Sequence, residues 1–152
     1  MNANTYDAIA NRVAKAVEAH NDLQRRFEQA VKVTLDHIVT RLQTAPEVIT
    51  VGLLDDEKEF VHELPKLNGH HDATVVYRVN FANAAGRAAD NRTFEQLVTF
   101  GISQQGISAV IPGDNVLEVT GNGLNQHDML AERIVNQLLR WTGDLEVANR
   151  PR

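Results

Sequence analysis

The apolar positions of residues 5–43 recur at alternating spacings of three and four. This is the a/d pattern of a heptad repeat, and it predicts one long amphipathic helix. The stripe consists of Tyr6, Ile9, Val13, Ala16, His20, Leu23, Phe27 and Ala30, and it continues after a one-residue slip as Val31, Leu35, Ile38 and Leu42. No glycine or proline interrupts it. Ala45-Pro46 predicts its end, because the residue before a proline is driven out of helical geometry.

A helix of this length is too long for the rest of the chain. At about 1.5 Å per residue it runs roughly 60 Å, whereas the remaining residues form a globule only about 33 Å across. We therefore expect one end to overhang, with its stripe covered by a second copy of the chain. The predicted interface consists of Ile9, Val13, Ala16, His20, Leu23, Phe27 and Val31. The alternative is a kink near residues 30–34 that folds the helix back onto its own domain.

Short apolar runs separated by turns predict an antiparallel sheet after Pro46. The predicted strands are 48–54, 60–67, 73–81, 106–111 and 116–120. Asn68-Gly69 is a preferred pair for a tight type I′ turn, so we expect the second and third strands to form a hairpin. Pro112-Gly113 fits the centre of a type II turn. One face of the third strand should carry Val75, Tyr77, Val79 and Phe81.

Residues 93–105 fit either a helix or a strand. Thr93 and Gln96 stand in capping-box positions and a glycine follows at position 106, so the local signals favour the helix. A last helix is expected from Asn125 to Gly143. The fold class is α+β: a long N-terminal helix, then an antiparallel sheet of about five strands with one or two further helices on one face.

Three parts follow along the chain. Residues 1–45 form the long helix, residues 46–145 an α+β domain and residues 146–152 a flexible tail. The α-β-β-β-α-β-β-α order and the acidity are similar to those of class I type III secretion chaperones, which are small acidic dimers. This resemblance is one of element order alone, because their leucine and glycine motifs are not matched and the first helix is longer.

Composition and charge narrow the function classes. The chain has 152 residues, 43% of them hydrophobic, and no cysteine, which suits a soluble cytoplasmic domain with a core. No apolar run approaches the about 20 residues of a membrane span. Residues 5–44 carry a charge of +1 and residues 45–152 carry −6. The acidic domain disfavours nucleic-acid binding, which would have to use Arg25, Arg26 and Lys32 on the helix.

The candidate sites for chemistry are few. His70-His71-Asp72 is the best metal candidate, but adjacent strand residues point to opposite faces, so we expect a polar hairpin tip and no cofactor. Three arginines near the predicted surface loop 82–92 could hold an anionic ligand: Arg78, Arg87 and Arg92. No hydrolase, dinucleotide or phosphate-loop motif occurs.

Two functional hypotheses follow. The first is a non-enzymatic homo-oligomer, most simply a dimer, that binds another macromolecule through its acidic sheet domain. Adaptors, chaperones, inhibitor or immunity proteins and phage accessory factors are of this kind. The alternative is a small-molecule-binding protein or enzyme, with a site for an anionic ligand near the 82–92 loop.

Overall fold

Two helices lie on one face of an antiparallel sheet in the computed structural model, which describes residues 5–81 and 92–148. The described elements are α1 (Thr5–Leu42), β1 (Ile49–Leu54), β2 (Phe60–Val61), β3 (Asp72–Asn80), β4 (Thr93–Ile102), β5 (Gly106–Val110), β6 (Leu117–Gly121), β7 (Leu124–Asn125) and α2 (His127–Ala148). The strand order is β2-β1-β3-β4-β5-β6-β7, with every neighbouring pair antiparallel. This confirms the α+β class, and the described sheet has two strands more than the expected five: the ten-residue β4 and the two-residue β7.

α1 is one continuous helix that does not fold back near residues 30–34, so the overhang is present and the alternative of a kinked helix is not. The helix ends as a Schellman motif: Gln43 has a φ of 52°, and its N–H donates to the Thr40 carbonyl at 3.2 Å. The Thr44 N–H reaches the Val39 carbonyl at 3.4 Å. These bonds satisfy carbonyls that a helix end would otherwise leave unpaired. The chain then passes through a short 3₁₀ turn, Pro46–Val48, into β1.

The helix prediction for residues 93–105 is wrong, because residues 93–102 form the ten-residue strand β4. β4 lies between β3 and β5 and pairs with both. Phe94, Val98 and Phe100 are buried on the helix-facing side of the sheet. Hydrogen bonds to the two flanking strands satisfy the backbone N–H and C=O groups of β4. These bonds outweigh the weak local capping signals.

The predicted hairpin at Asn68-Gly69 is also wrong. β2 has only two residues and pairs with β1 instead of β3. Asn68 closes a turn in which its Oδ1 accepts the N–H groups of His70 and Asp72. The tight Asn-Gly hairpin occurs at Asn122-Gly123, where φ is 51° and 84°, and it joins β6 to β7.

The C-terminal helix is longer than predicted. α2 runs through Gly143 to Ala148, so residues 146–148 are helical, whereas residues 149–152 of the expected tail lie outside the described residues. With β4 in place of a helix, the element order no longer matches the one shared with the secretion chaperones. Neither described helix is both long enough and apolar enough to cross a membrane.

The core forms where α1 and α2 meet the sheet. From α1, Phe27, Val31 and Ile38 are buried, and the Phe27 ring lies edge-on to Phe100 with centroids 5.9 Å apart. The buried Tyr77 hydroxyl donates to the Val31 carbonyl at 2.9 Å. As expected from the alternation in β3, its odd-numbered apolar residues face the helices.

Gln24 holds α1 against a segment that has no strand partner. Its Nε2 donates to the Pro65 carbonyl at 3.1 Å, and its Oε1 accepts the Leu67 N–H at 2.9 Å. Gln24 is 7% exposed and Leu67 is 6% exposed. The side chain therefore replaces the ladder bonds that the segment between β2 and β3 lacks.

We expect Gln24→Ala to lower the free energy of unfolding by about 2 kcal/mol, because the buried Leu67 N–H loses its acceptor. Urea denaturation followed by circular dichroism measures this. Gln29→Ala is the matched control, since Gln29 is exposed on the same helix and should change stability by less than about 0.5 kcal/mol. Equal stabilities of the two variants would contradict the role of Gln24.

Candidate functional site: the exposed half of the long helix

The N-terminal half of α1 projects beyond the sheet. Every residue from Thr5 to Asp22 is exposed, over roughly 27 Å of helix. Its large apolar side chains are Tyr6, Ile9, Val13 and Val17, with exposures of 80%, 55%, 56% and 53%. Such a contiguous row differs from the scattered single apolar residues that are normal on a protein surface. We call this surface the free stripe: Tyr6, Ile9, Val13, Ala16 and Val17.

The free stripe is the continuation of the stripe that fills the core. Leu23, Phe27 and Val31, which we predicted to line the intermolecular interface, are buried against the sheet of their own chain. That part of the predicted interface is therefore already occupied. His20 lies at the junction, where its ring centroid is 6.3 Å from that of His71 in the turn before β3.

Two contacts fix the junction where the overhang leaves the domain. One is Gln24, described above. The other is Arg26, which donates to the Ser103 carbonyl in the β4–β5 turn at 2.7 Å. Arg26 is thus a structural contact, and Arg25 forms an exposed ion pair with Asp22 at 3.2 Å. Two of the three helix cations that could have contacted nucleic acid are therefore engaged within the chain.

The predicted arginine site is not assembled among the described residues. The Arg78 guanidinium lies 5.1 Å from the centre of the Phe60 ring, and its Nε is 3.8 Å from Glu95. Gly52 makes this arrangement possible, because a Cβ there would lie 2.1 Å from the Val61 carbonyl oxygen and 3.0 Å from the Phe60 ring. Arg92 is exposed before β4, and Arg87 lies outside the described residues.

The histidine run does not form a metal centre. Within the described ranges, no group of three or more histidine, cysteine, aspartate or glutamate side chains could hold an ion. His70 is exposed at the turn, whereas His71 has a φ of 61° and faces His20. The two rings therefore lie apart in a polar turn before β3, which is not the tip of a hairpin because β2 and β3 do not pair.

A polar cavity lies on the sheet face that the described helices leave uncovered. It has a volume of about 380 Å³ and is lined in part by Asp72, Ser108 and Glu118. Gly101 forms its floor, since its missing Cβ would lie within 3.0 Å of both the Ser108 hydroxyl and an Asp72 oxygen. The two carboxylates make this cavity unsuitable for the anionic ligand expected from the sequence.

A polar cluster joins α1 and α2 on the sheet face that the helices cover. The Nδ1 of buried His127 is 3.3 Å from the Thr34 hydroxyl, and its ring stacks on His37 with centroids 6.4 Å apart. Asp128 receives two hydrogen bonds from Arg41, at 2.9 and 2.6 Å. Sequence reasoning missed this cluster, because only the crossing of α1 and α2 brings its members together.

The cluster has defined protonation preferences. Burial, and secondarily the nearby His37, lowers the pKa of His127. Hydrogen bonds from Arg41 lower the pKa of Asp128, and the same pairing raises the pKa of Arg41. Neutral His127 and ionised Asp128 are therefore the forms that the folded state favours.

Comparisons with known proteins add no relative: no family model matches the chain, and neither a curated protein nor a solved structure matches it. The surfaces of the described residues are therefore what bears on function. Among these surfaces, the free stripe is the one on which folding leaves a contiguous row of large apolar side chains exposed to solvent.

Acidification should destabilise the fold through His127. Because its pKa in the folded state lies below the ordinary value of about 6.5, the unfolded chain binds the proton first, and stability falls as the pH drops through and below 6.5. Asp128 contributes a separate loss of stability only below about pH 4.

Thermal unfolding of His127→Gln between pH 5 and 7 should show a flatter pH dependence than that of the parent protein. His62→Gln, at an exposed position, is the control, and equal slopes in His127→Gln and the parent would contradict the assignment.

Proposed function

We propose that the protein is a non-enzymatic, homo-oligomeric interaction module that assembles through the free stripe and binds another protein through its acidic sheet domain. The observation that carries the proposal is the continuous exposure of Thr5–Asp22 together with its apolar row. A helix that leaves its domain with an apolar face in water gains stability when that face is covered.

A second copy of the chain is the occupant that this surface suits best. Two copies contribute eight large apolar side chains: Tyr6, Ile9, Val13 and Val17 from each. Full burial of such a side chain is worth about 1.5–3 kcal/mol, so burying the part of each that is still exposed gives roughly 1 kcal/mol per side chain. The total of about 8 kcal/mol is comparable with the about 4–15 kcal/mol that association costs. We therefore expect a reversible dimer.

The sheet domain supplies the surface for a different partner. Residues 45–152 carry a charge of −6. Acidic side chains gather at the end of the sheet next to the overhang, because β1 ends where the antiparallel β3 begins and His71 contacts His20 there. They include Asp55, Asp56, Glu57 and Glu59 between β1 and β2, and Asp72 at the start of β3. Such a surface favours a basic protein partner and repels nucleic acid.

The alternative function, binding of an anionic small molecule near the 82–92 loop, has less support. The Arg78 guanidinium packs on Phe60 and its Nε lies 3.8 Å from Glu95, and the polar cavity on the open face is lined in part by carboxylates. A ligand-screening melt with nucleotides and phosphorylated metabolites addresses it. A large, reproducible stabilisation would favour this alternative over the interaction module.

Oligomerisation should be lost when charge is placed on the free stripe. We expect Ile9→Asp/Val13→Asp to raise the dimer dissociation constant by more than about 100-fold, because two apolar contacts are removed and carboxylates would be buried. Sedimentation equilibrium of the full chain, extended to about 500 µM, measures this.

Leu139→Asp is the matched control, because Leu139 is 61% exposed on α2, away from the free stripe. Circular dichroism should show the same helix content in all three proteins. A parent protein that stays monomeric throughout this range would refute the proposed assembly.

A further inference from the structure

The direction in which two free stripes can pair is constrained by the domain that follows them. The free stripe and the buried residues Leu23, Phe27 and Val31 belong to one face of α1. At Leu23 and beyond, that face is covered by the sheet of the same chain. A partner helix lying on the free stripe therefore has space only as far as residue 23.

A parallel partner would collide with this sheet. Its helix would run alongside α1 and continue for roughly 30 Å after residue 22, into the volume that the sheet fills. In an antiparallel pair, the partner helix begins at its Thr5 close to Leu23, and it runs away from the domain. The two sheet domains then lie at opposite ends of the paired helices, where their negative charges are far apart.

The side chains of the overhang also suit the antiparallel arrangement. In antiparallel pairing, each a position of one helix faces a d position of the other. Over the exposed length this sets Val13 opposite Ala16 of the second copy, a large residue against a small one that fills the layer. Parallel pairing would set Ala16 against its own counterpart and leave a void, and it would bring the two His20 rings together.

We infer that two copies of the chain pair antiparallel through residues 6–23, with the helix start of each copy seated against the other's junction at Leu23. This inference rests on the proposed function, since it specifies the geometry of the same surface. In this register Ile9 of one copy lies opposite His20 of the other. Two Ile9 residues are then separated by about 11 helical positions, or roughly 16 Å.

Disulfide cross-linking of the full-length protein tests the direction, and the absence of native cysteine makes the result clean. Ile9→Cys alone and His20→Cys alone should each form less than about a tenth of covalent dimer, because a separation near 16 Å exceeds disulfide reach. An equimolar mixture of the two variants should cross-link up to about half of the chains, the share of mixed dimers expected from random pairing.

Both positions are exposed, so neither substitution touches the core. Leu139→Cys is the control for collisional oxidation. Efficient cross-linking of Ile9→Cys by itself would overturn the antiparallel arrangement but leave self-association intact. A sedimenting dimer with no cross-link in the mixture would overturn the register. A monomer at all concentrations would instead refute the proposed function.

Discussion

The apolar stripe of α1 is the contact on which the rest of the structure depends. Its C-terminal half closes the core: Phe27, Val31 and Ile38 are almost fully buried against the sheet. Because the same stripe continues to Tyr6 without interruption, the helix has apolar surface left over once the domain is complete. The sheet domain is shorter than the helix that packs on it. Folding therefore leaves the N-terminal part of the stripe exposed as the candidate interaction surface.

Buried polar side chains make this packing specific. Gln24 bonds to the backbone of the segment before β3, and Tyr77 donates to a helix carbonyl across the core. Thr34 and His127 pair where the helices cross. Apolar burial alone would allow α1 to slide along the sheet, whereas a displaced polar group would lose its partner at a cost of about 1–3 kcal/mol. These contacts set the position along α1 at which the overhang begins.

The long helix and the sheet domain differ in charge, and each is proposed to bind a different kind of partner. The helix is slightly basic and the sheet domain strongly acidic. The proposed self-association through the helix would leave the open sheet face, with its acidic cavity and the neighbouring carboxylates, available in each copy. A dimer would thus present two acidic surfaces at opposite ends, an arrangement suited to bridging or holding basic partners.

Local physics in the sequence alone determined the long helix, the alternation in β3 and the excess of helix length. It also determined the turn at Pro112-Gly113, where Gly113 has a φ of 85° and the Asp114 N–H donates to the Ile111 carbonyl at 2.9 Å. Each depends on residues close in the chain. Tertiary structure decided β4, whose residues fit two periodicities until β3 and β5 supplied hydrogen-bond partners on both sides. It also decided which Asn-Gly pair turns tightly, since Asn122-Gly123 lies between pairing strands and Asn68-Gly69 does not. Above all, it decided where the stripe passes from the core to solvent. Heptad spacing is the same on both sides of Leu23, and only packing against the sheet distinguishes a core residue from a free one.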